Sequence, residues 1–523
     1  MRPVSLTPGA LGRYRASVVA LPARVLLAVS ALPGLVACGA APGAASLTVA
    51  VPYEIETLDP HAKNSLSHFA VVSNFYDPLV TTDADLRIRP HLAQLWETPD
   101  PTTWVFHLRP GVVFADGRPL RARDVAWSIR RLQTEPGLEI ATYALYIDEL
   151  TPLDDRTLRL RTTRPVSILL NKLRFLLVVP EGSSRESLAR RPNGSGPYVL
   201  EARQDRSLQL RRREDYWGRR PWARRVRLLL DRPADEAANL LIGGGADLAQ
   251  CSSREAEGRV RAGGRFSVKK RPSLFVKQLG LDVGRRTSPF VKAERNPLQD
   301  VTVRRALSLA IDRNSLVAGL AQEAVPATQF VPPAIFGYNP ALPLPAFDRA
   351  AARGLLQRAG FSSGFEATLH VRKLFGTAAL LLRDQLAEVG VRLEVVVLDD
   401  PPFLERARRG EFSLLLSRLG CPTGDASDIL DNALHSKDPA RRYGLNNDGG
   451  YSNAELDRLI EESAGIDDVG ERRNTLWRIM QILVQDLPWI PLYVDQDVYA
   501  LAPGVAWEPR NDSFVLAAEI ARR

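Results

Sequence analysis

The chain has 523 residues, of which 45% are hydrophobic and 25% are charged, and its formal net charge is +9. This length predicts two or three lobes, and the composition is that of a folded globular protein. Four arginines and no acid precede Cys38, so the rest of the chain is only modestly basic. The arginine clusters 211–213 and 224–227 lie in or beside segments with the pattern of β-strands and are predicted to be solvated strand faces. The sequence therefore gives no case for a nucleic-acid-binding stripe.

The N-terminus predicts export. Arg13, Arg15 and Arg24 precede the apolar segment Val25–Ala37, which is too short to span a bilayer. The segment ends in Leu-Val-Ala-Cys at 35–38, a pattern that resembles a bacterial lipobox. We therefore expect a signal peptide at 1–37, a lipid on Cys38 and a flexible lipidated tether at 38–45. The alternative is an ordinary cleaved signal with an incidental cysteine.

The first half of the mature chain predicts strands followed by a capped helix. Ser46–Pro52 has the pattern of a strand, and Trp104–Leu108 alternates with the period of a half-buried strand. Asp116-Gly117 predicts a turn, and Asp124 predicts the N-cap of a helix. The glycines of Asn193–Tyr198 allow backbone angles closed to other residues, which fits a crossing between lobes.

The second half predicts alternating helices and strands. Val303–Leu320 has apolar residues at helical spacing, and the helices Ala350–Gly360 and Leu380–Gly390 both end at a glycine. The strand Val391–Leu398 follows, and Asn453 is predicted to cap a later helix. This alternation favours an α/β sheet.

Several motifs occur in an order and spacing that resemble one family. These are LDPH at Leu58–His61, YDPLV at Tyr76–Val80, the run Thr103–Arg131, the GSGPY turn near Asn193–Tyr198, and the helix Val303–Leu320. Together they are similar to the family 5 solute-binding proteins of ABC importers, which include peptide, dipeptide, opine and nickel binders. The resemblance covers about Ser46 to Val494.

The resemblance implies an α/β fold like that of periplasmic binding proteins, with two lobes that close on a cleft and an extra subdomain in the first lobe. Lobe I would comprise 46–78, 192–273 and 495–523, the extra subdomain 79–191, and lobe II 274–494. The implied role is to capture a peptide-like or other small organic solute outside the cytoplasm and to deliver it to an ABC permease and its ATPase. We expect a monomer without a cofactor.

The sequence itself offers no catalytic motif. The six histidines form no H-x-x-H or H-E-x-x-H pair, and neither a G-x-S-x-G elbow nor a P-loop is present. Cys251 and Cys421 lie in no metal-like spacing and are predicted to be two separate thiols. We therefore expect no enzyme, no metal site and no nucleic-acid partner.

The resemblance also nominates ligand-binding residues. The oligopeptide binder has an acid just before its LDPH-like element, and here Glu54 and Ile55 hold that place. Its cleft tyrosine corresponds to Tyr143, whose ring would cover the ligand. The family's cleft segment adds Leu419, Gly420, Cys421 and Asp425.

The same segment departs from the peptide binders at Pro422. With Leu430 as the anchor, the family's tryptophan falls on Leu419 and its amine-binding aspartate falls on Pro422, which offers neither charge nor N–H. We therefore expect that a free peptide amine is not recognised in the usual way. Asp425 matches a second acid of the pattern, although it would equally serve as a helix cap.

Two alternatives share the predicted fold. A binder of a metal chelate or of haem would need a histidine or arginine in the cleft, and His435 and Arg418 are the candidates. A non-transport receptor or periplasmic chaperone would have the same sequence pattern.

Overall fold

A computed structural model describes residues 45–523 of the protein. The predicted signal peptide, the lipidated Cys38 and nearly all of the tether lie outside the described residues. Within 45–523, no helix combines the length and apolar character needed to cross a membrane.

The strands follow one another along the whole described chain. They are β1 (Ser46–Ala50), β2 (Val80–Thr82), β3 (Ile88–Pro90), β4 (Ala93–Asp100), β5 (Thr103–Leu108), β6 (Ile147–Pro152), β7 (Thr157–Thr162), β8 (Tyr198–Gln204), β9 (Ser207–Arg212), β10 (Arg225–Leu229), β11 (Leu248–Gln250), β12 (Ser267–Leu281), β13 (Val291–Lys292), β14 (Ala324–Pro326), β15 (Phe365–Arg372), β16 (Val391–Leu398), β17 (Leu414–Gly420), β18 (Trp489–Leu501), β19 (Val505–Ala506) and β20 (Ala521–Arg522).

The helices are interspersed among them. They are α1 (Leu66–Val72), α2 (Ala122–Thr134), α3 (Leu169–Leu173), α4 (Arg185–Arg190), α5 (Ala234–Ile242), α6 (Arg254–Ala262), α7 (Val301–Ala310), α8 (Arg313–Ala318), α9 (Arg349–Arg358), α10 (Gly376–Ala387), α11 (Asp400–Arg408), α12 (Ser427–Ile429), α13 (Ala454–Ser463) and α14 (Val469–Asp486).

One mixed sheet of 12 strands runs through the molecule in the order β13-β15-β17-β12-β18-β11-β1-β10-β9-β8, with β14 on β18 and β16 on β15. The long strands β12 and β18 lie side by side at its centre and are antiparallel. Beyond β18 come the strands of the first lobe, and beyond β12 come those of the second. The α/β fold with two lobes is therefore as predicted.

The two central strands change partners where the lobes meet. Residues 267–272 of β12 pair with residues 496–501 of β18, and β11 lies on the other side of β18 there. Residues 276–280 of β12 pair with residues 489–494 of β18, where β17 lies beside β12 and β14 lies beside β18. The pairing shifts register between Pro272 and Val276, so the ladder is irregular at the point where the partners change. The predicted limits at 273/274 and 494/495 fall within these continuous strands. The exact lobe boundaries stay a prediction.

The segment 79–191 contains its own antiparallel sheet of four strands in the order β4-β5-β7-β6, and α2 packs on β6 and β7. One large hydrophobic core joins this segment to the first lobe and includes Phe69, Phe106 and Phe175. The second lobe has separate cores around its sheet and around α13 and α14.

A stack of side chains connects segment 79–191 to the second lobe. The guanidinium of Arg164 lies 4.5 Å from the ring centre of Tyr146 and 4.3 Å from that of Tyr443, and it is 3.4 Å from the carboxylate of Asp431. Asn171 Nδ2 also donates to Thr423 O at 2.8 Å. The lobes thus contact each other away from the central strands.

Most local predictions are confirmed, with three corrections. The helix predicted to begin at Asp124 begins at Ala122, and Asp124 accepts the backbone N–H of Arg121 at 2.9 Å, which is one half of a capping box. The predicted helix Val303–Leu320 is two helices, because Asp312 starts α8 by accepting the N–H groups of two following residues. Arg212 and Arg213 are buried and donate hydrogen bonds to backbone carbonyls, so the prediction that the cluster 211–213 is a solvated strand face is wrong for these two residues.

The turn at Asn193–Tyr198 requires glycine for a different reason from the one predicted. A Cβ on Gly194 would lie 2.2 Å from Phe75 O, and one on Gly196 would lie 2.5 Å from Phe75 C. Neither residue has a positive φ. Close approach of two backbones, and not left-handed geometry, therefore selects these glycines.

Candidate functional site

A cavity of about 520 Å³ lies where the two lobes and segment 79–191 meet. Its walls are formed by residues from all three: Pro52, Tyr53, Asn64, Ser65, Leu66, Ser67, Tyr143, Gln250, Ser273, Phe275, Lys277, Arg418, Leu419, Gly420, Pro422, Asp495, Asp497 and Ser513. Its size is within the roughly 300–1,000 Å³ typical of small-molecule sites.

The central strands place most of the polar lining. Phe275 and Lys277 are two apart on β12, and Asp495 and Asp497 are two apart on β18, so each pair has its side chains on one face of the sheet. The pairing of the two strands is irregular just before Val276, next to these side chains. Three of the four charged residues of the lining therefore lie on the two central strands, and the fourth, Arg418, lies on β17.

Lys277 and Asp495 form an ion pair in this wall. The Lys277 side chain is only 2% exposed, and burial, together with the nearby charge of Arg418, lowers the pKa of its ammonium despite the attraction of Asp495. This pair supplies no net charge to the cavity.

Asp497 is held by two neutral donors. Gln250 Nε2 donates to Asp497 Oδ1 at 3.2 Å, and the hydroxyl of Ser513 donates to Oδ2. Burial first, and the negative charge of Asp495 next, raise the pKa of Asp497 to about 6. The carboxyl is thus under-compensated by its surroundings.

Arg418 is the other cation of the lining. Its guanidinium lies over the ring of Phe275, 4.8 Å from the ring centre, and the side chain is exposed. No carboxylate within residues 45–523 lies within 4.0 Å of this guanidinium. Arg418 is therefore a cation available to a ligand.

Tyr143 closes one side of the cavity. Its ring stacks on Phe175 with ring centres 4.8 Å apart, and its hydroxyl donates to Asn64 Oδ1 at 3.1 Å. Leu419 and Gly420 also line the cavity. Three of the nominated residues are thus brought together.

The other nominated residues lie outside the lining. Glu54 is exposed and Ile55 half-buried beside Tyr53, while Cys421 is buried with its N–H donated to Leu274 O. Asp425 is buried in a bidentate pair with Arg472, at 2.7 and 2.9 Å, and it also accepts the N–H of Ser427. Ligand contact by these four residues stays a prediction.

The comparisons with known proteins decide the family. Residues 87–440 match the sequence profile of the bacterial extracellular solute-binding proteins, family 5 (middle part). The chain belongs to this family. A family 5 protein of this kind captures a peptide-like or other small organic solute and delivers it to an ABC permease, and that is the role of this chain.

Two relatives and two solved structures illustrate the similarity. The glutathione-binding protein GsiB of Escherichia coli is 27% identical over 497 residues, covering 89% of this chain and 94% of GsiB, and that of Salmonella typhimurium is 27% identical over 496 residues, covering 91% and 94%. HbpA2 from Haemophilus parasuis superimposes with a TM-score of 0.79 at 22% identity, covering 91% of this chain and all of HbpA2. DppA from Helicobacter pylori, in complex with the peptide STSA, gives 0.76 at 22%, covering 91% and 98%.

The family signature is structural in this solute-binding protein. The carboxylate of Asp59, in LDPH, pairs with Arg131 at 2.6 and 2.9 Å, and Arg131 also lies 3.0 Å from His61 Nδ1. Burial alone would raise the pKa of Asp59, but the hydrogen bonds and charge of Arg131 outweigh it and hold that pKa below its usual value. The two ends of the signature therefore meet in one buried network.

Of the two residues nominated to bind a metal chelate or haem, only Arg418 lines the cavity. His435 is 1% exposed, and its Nε2 lies 3.0 Å from Glu461 Oε1, outside the cavity lining. Within the described chain, no cluster of three His, Cys, Asp or Glu side chains is arranged to hold a metal ion.

Sequence reasoning missed the polar residues of the central strands. Gln250, Lys277, Asp495 and Asp497 carry no motif, and the last two lie just beyond the point where the family resemblance ends. A weak signal is present, because the alternation Asp-Gln-Asp at 495–497 within an apolar strand places two carboxyls on one face.

Proposed function

We propose that this family 5 protein is a lipid-anchored receptor that holds one compact peptide-like solute in the cavity between its lobes and releases it unchanged to the permease. The observation that carries the proposal is the cavity itself, which takes walls from both lobes and from segment 79–191. Contacts made by both lobes at once exist only when the lobes are together, so the solute favours closure.

The size and lining support a peptide-like solute. A volume of about 520 Å³ is suited to a short peptide, and the lining combines an aromatic ring, charged groups and hydroxyls. The Escherichia coli relative is named for glutathione, itself a small peptide, and the Helicobacter pylori structure contains the peptide STSA. We infer a ligand of about this size.

The solute can be identified directly. The mature protein is purified without added ligand and denatured, and the released small molecules are analysed by mass spectrometry. We expect one solute, or a narrow set, of short-peptide size in about equimolar amount. Release of haem or of a metal chelate would contradict the peptide-like solute and favour the alternative ligand class.

Replacement of Cys38 tests the anchor. We expect Cys38→Ser to move the protein from the membrane fraction to the soluble extracytoplasmic fraction, because stable attachment needs the acyl chains carried by this thiol. Cys251→Ser, which changes a cysteine buried inside the fold, should leave the protein membrane-bound. A Cys38→Ser protein that still sediments with membranes would contradict the lipid anchor.

A further inference from the structure

We propose that the ligand is a zwitterion, with its anionic group on Arg418 and its ammonium group on a subsite formed by Asp497 and Gln250. The inference rests on the proposed function and specifies its ligand. It also assigns amine recognition to a place other than position 422.

The anion subsite follows from strand register. Lys277 and Arg418 are direct partners across β12 and β17, and both side chains line the cavity. Like charges directly opposite each other in an antiparallel pair are destabilising. Asp495 pairs with Lys277, and Arg418 has no carboxylate of the described chain within 4.0 Å, although Asp495 and Asp400 act on it from farther away. A ligand carboxylate would provide Arg418 with a directly bonded anion. The planar guanidinium, stacked on Phe275, is suited to bind a carboxylate through two hydrogen bonds.

The cation subsite follows from unused acceptors. Gln250 is 7% exposed and lines the cavity, and its amide nitrogen is committed to Asp497. Its Oε1 is buried without a hydrogen-bond partner in residues 45–523. Asp497 beside it receives hydrogen bonds only from neutral donors, the Gln250 amide and the Ser513 hydroxyl, and burial raises the pKa of its carboxyl even though Lys277 lies nearby. A carboxylate and an orphan carbonyl oxygen side by side call for a group with several N–H donors and a positive charge, which describes an ammonium.

The presence of Pro422 in the lining agrees with this assignment of the amine subsite. Pro422, where peptide binders of the family have their aspartate, lines the same cavity and offers neither charge nor N–H. The charged lining then consists of one neutral pair, Lys277–Asp495, and one separated pair, Arg418 and Asp497. The separated charges lie on β17 and on the central strand β18, so a zwitterion would bridge them.

Calorimetric titration with blocked peptides tests the proposal on the full mature protein. The probes are trialanine, N-acetyl-trialanine and trialanine amide. For the wild type we expect each blocked peptide to bind about 10- to 150-fold more weakly than trialanine, the range that corresponds to one charge-assisted hydrogen bond. Asp497→Asn should remove the preference for the free amine only, and Arg418→Gln should remove the preference for the free carboxylate only.

Matched variants and a second measurement keep the outcomes distinct. Asp148→Asn and Arg392→Gln, both exposed and outside the cavity, should keep both preferences, and thermal unfolding verifies that every variant is folded. Equal binding of free and blocked trialanine by the wild type overturns the zwitterion. If trialanine itself is not bound, the solute released on denaturation decides. A released solute with both an amine and an acid but no peptide bond supports the zwitterion and contradicts the peptide-like function, whereas one lacking either group, or the absence of any solute, overturns the zwitterion.

Discussion

Replacement of Arg131 by methionine is expected to lower the free energy of unfolding by about 3–5 kcal/mol, because it leaves a buried carboxylate without its partner. The Arg131 and Asp59 side chains are 2% and 0% exposed, and the guanidinium also bonds to Glu135 and His61. Methionine fills a similar volume, so the loss measures the charge network and not a cavity. Urea denaturation followed by circular dichroism gives the value.

Arg123 on the same helix is the matched control for Arg131. Its ion pair with Glu181 is exposed, with side chains 55% and 44% accessible, and Arg123→Met should cost no more than about 1 kcal/mol. Similar losses for the two variants would contradict the view that the signature residue Asp59 serves the fold through Arg131.

The second large effect is expected at Asp425. Asp425→Ala should destabilise the protein by about 3–5 kcal/mol, because it leaves the guanidinium of Arg472 buried and unpaired. That guanidinium also bonds to Ser427 Oγ and Ser463 O, and its side chain is only 9% exposed. Since Asp425 lies outside the cavity lining, affinity for the natural solute should be unchanged.

Two measurements on Asp425→Ala separate its possible roles. Chemical denaturation reports the structural loss, and titration of the folded variant with the solute released from the wild type reports recognition. Glu462→Ala, which removes an exposed i,i+4 pair with Arg458, should change neither by a measurable amount. A folded Asp425→Ala protein with wild-type stability and weakened binding would show that Asp425 contacts the ligand after all.

The sequence predicted the fold well because the fold is encoded locally. Alternating apolar residues predicted β5, glycines predicted the ends of α9 and α10 to within three residues, and Asn453 was identified as the cap of α13. These features depend on residues close in sequence. The prediction for Val303–Leu320 was wrong because Asp312 can act either as a helix residue or as a cap, and only tertiary packing chooses between the two.

The candidate site was predicted less well because its residues come from distant segments of the chain. Tyr143, Leu419 and Gly420 were found through family motifs, but the partnership of Gln250 with Asp497 joins residues 247 positions apart in the chain. Likewise, that Lys277 faces Arg418 is a matter of strand register, which periodicity alone does not specify. The charge of a residue can be read from the sequence, whereas its compensation by neighbours cannot.

The two central strands have a consequence for the order of events in capture. Asp497 lies on β18, which continues from one lobe into the other, so a rotation of the lobes about these strands would change its position little. Contacts to such a residue have nearly the same strength in the open and the closed protein, and they therefore cannot shift the balance between the two. Ligand contacts of Arg418, on β17, and of Tyr143, in segment 79–191, would differ between the two states. The central strands would thus receive the solute first, and the lobes would then determine how long it stays.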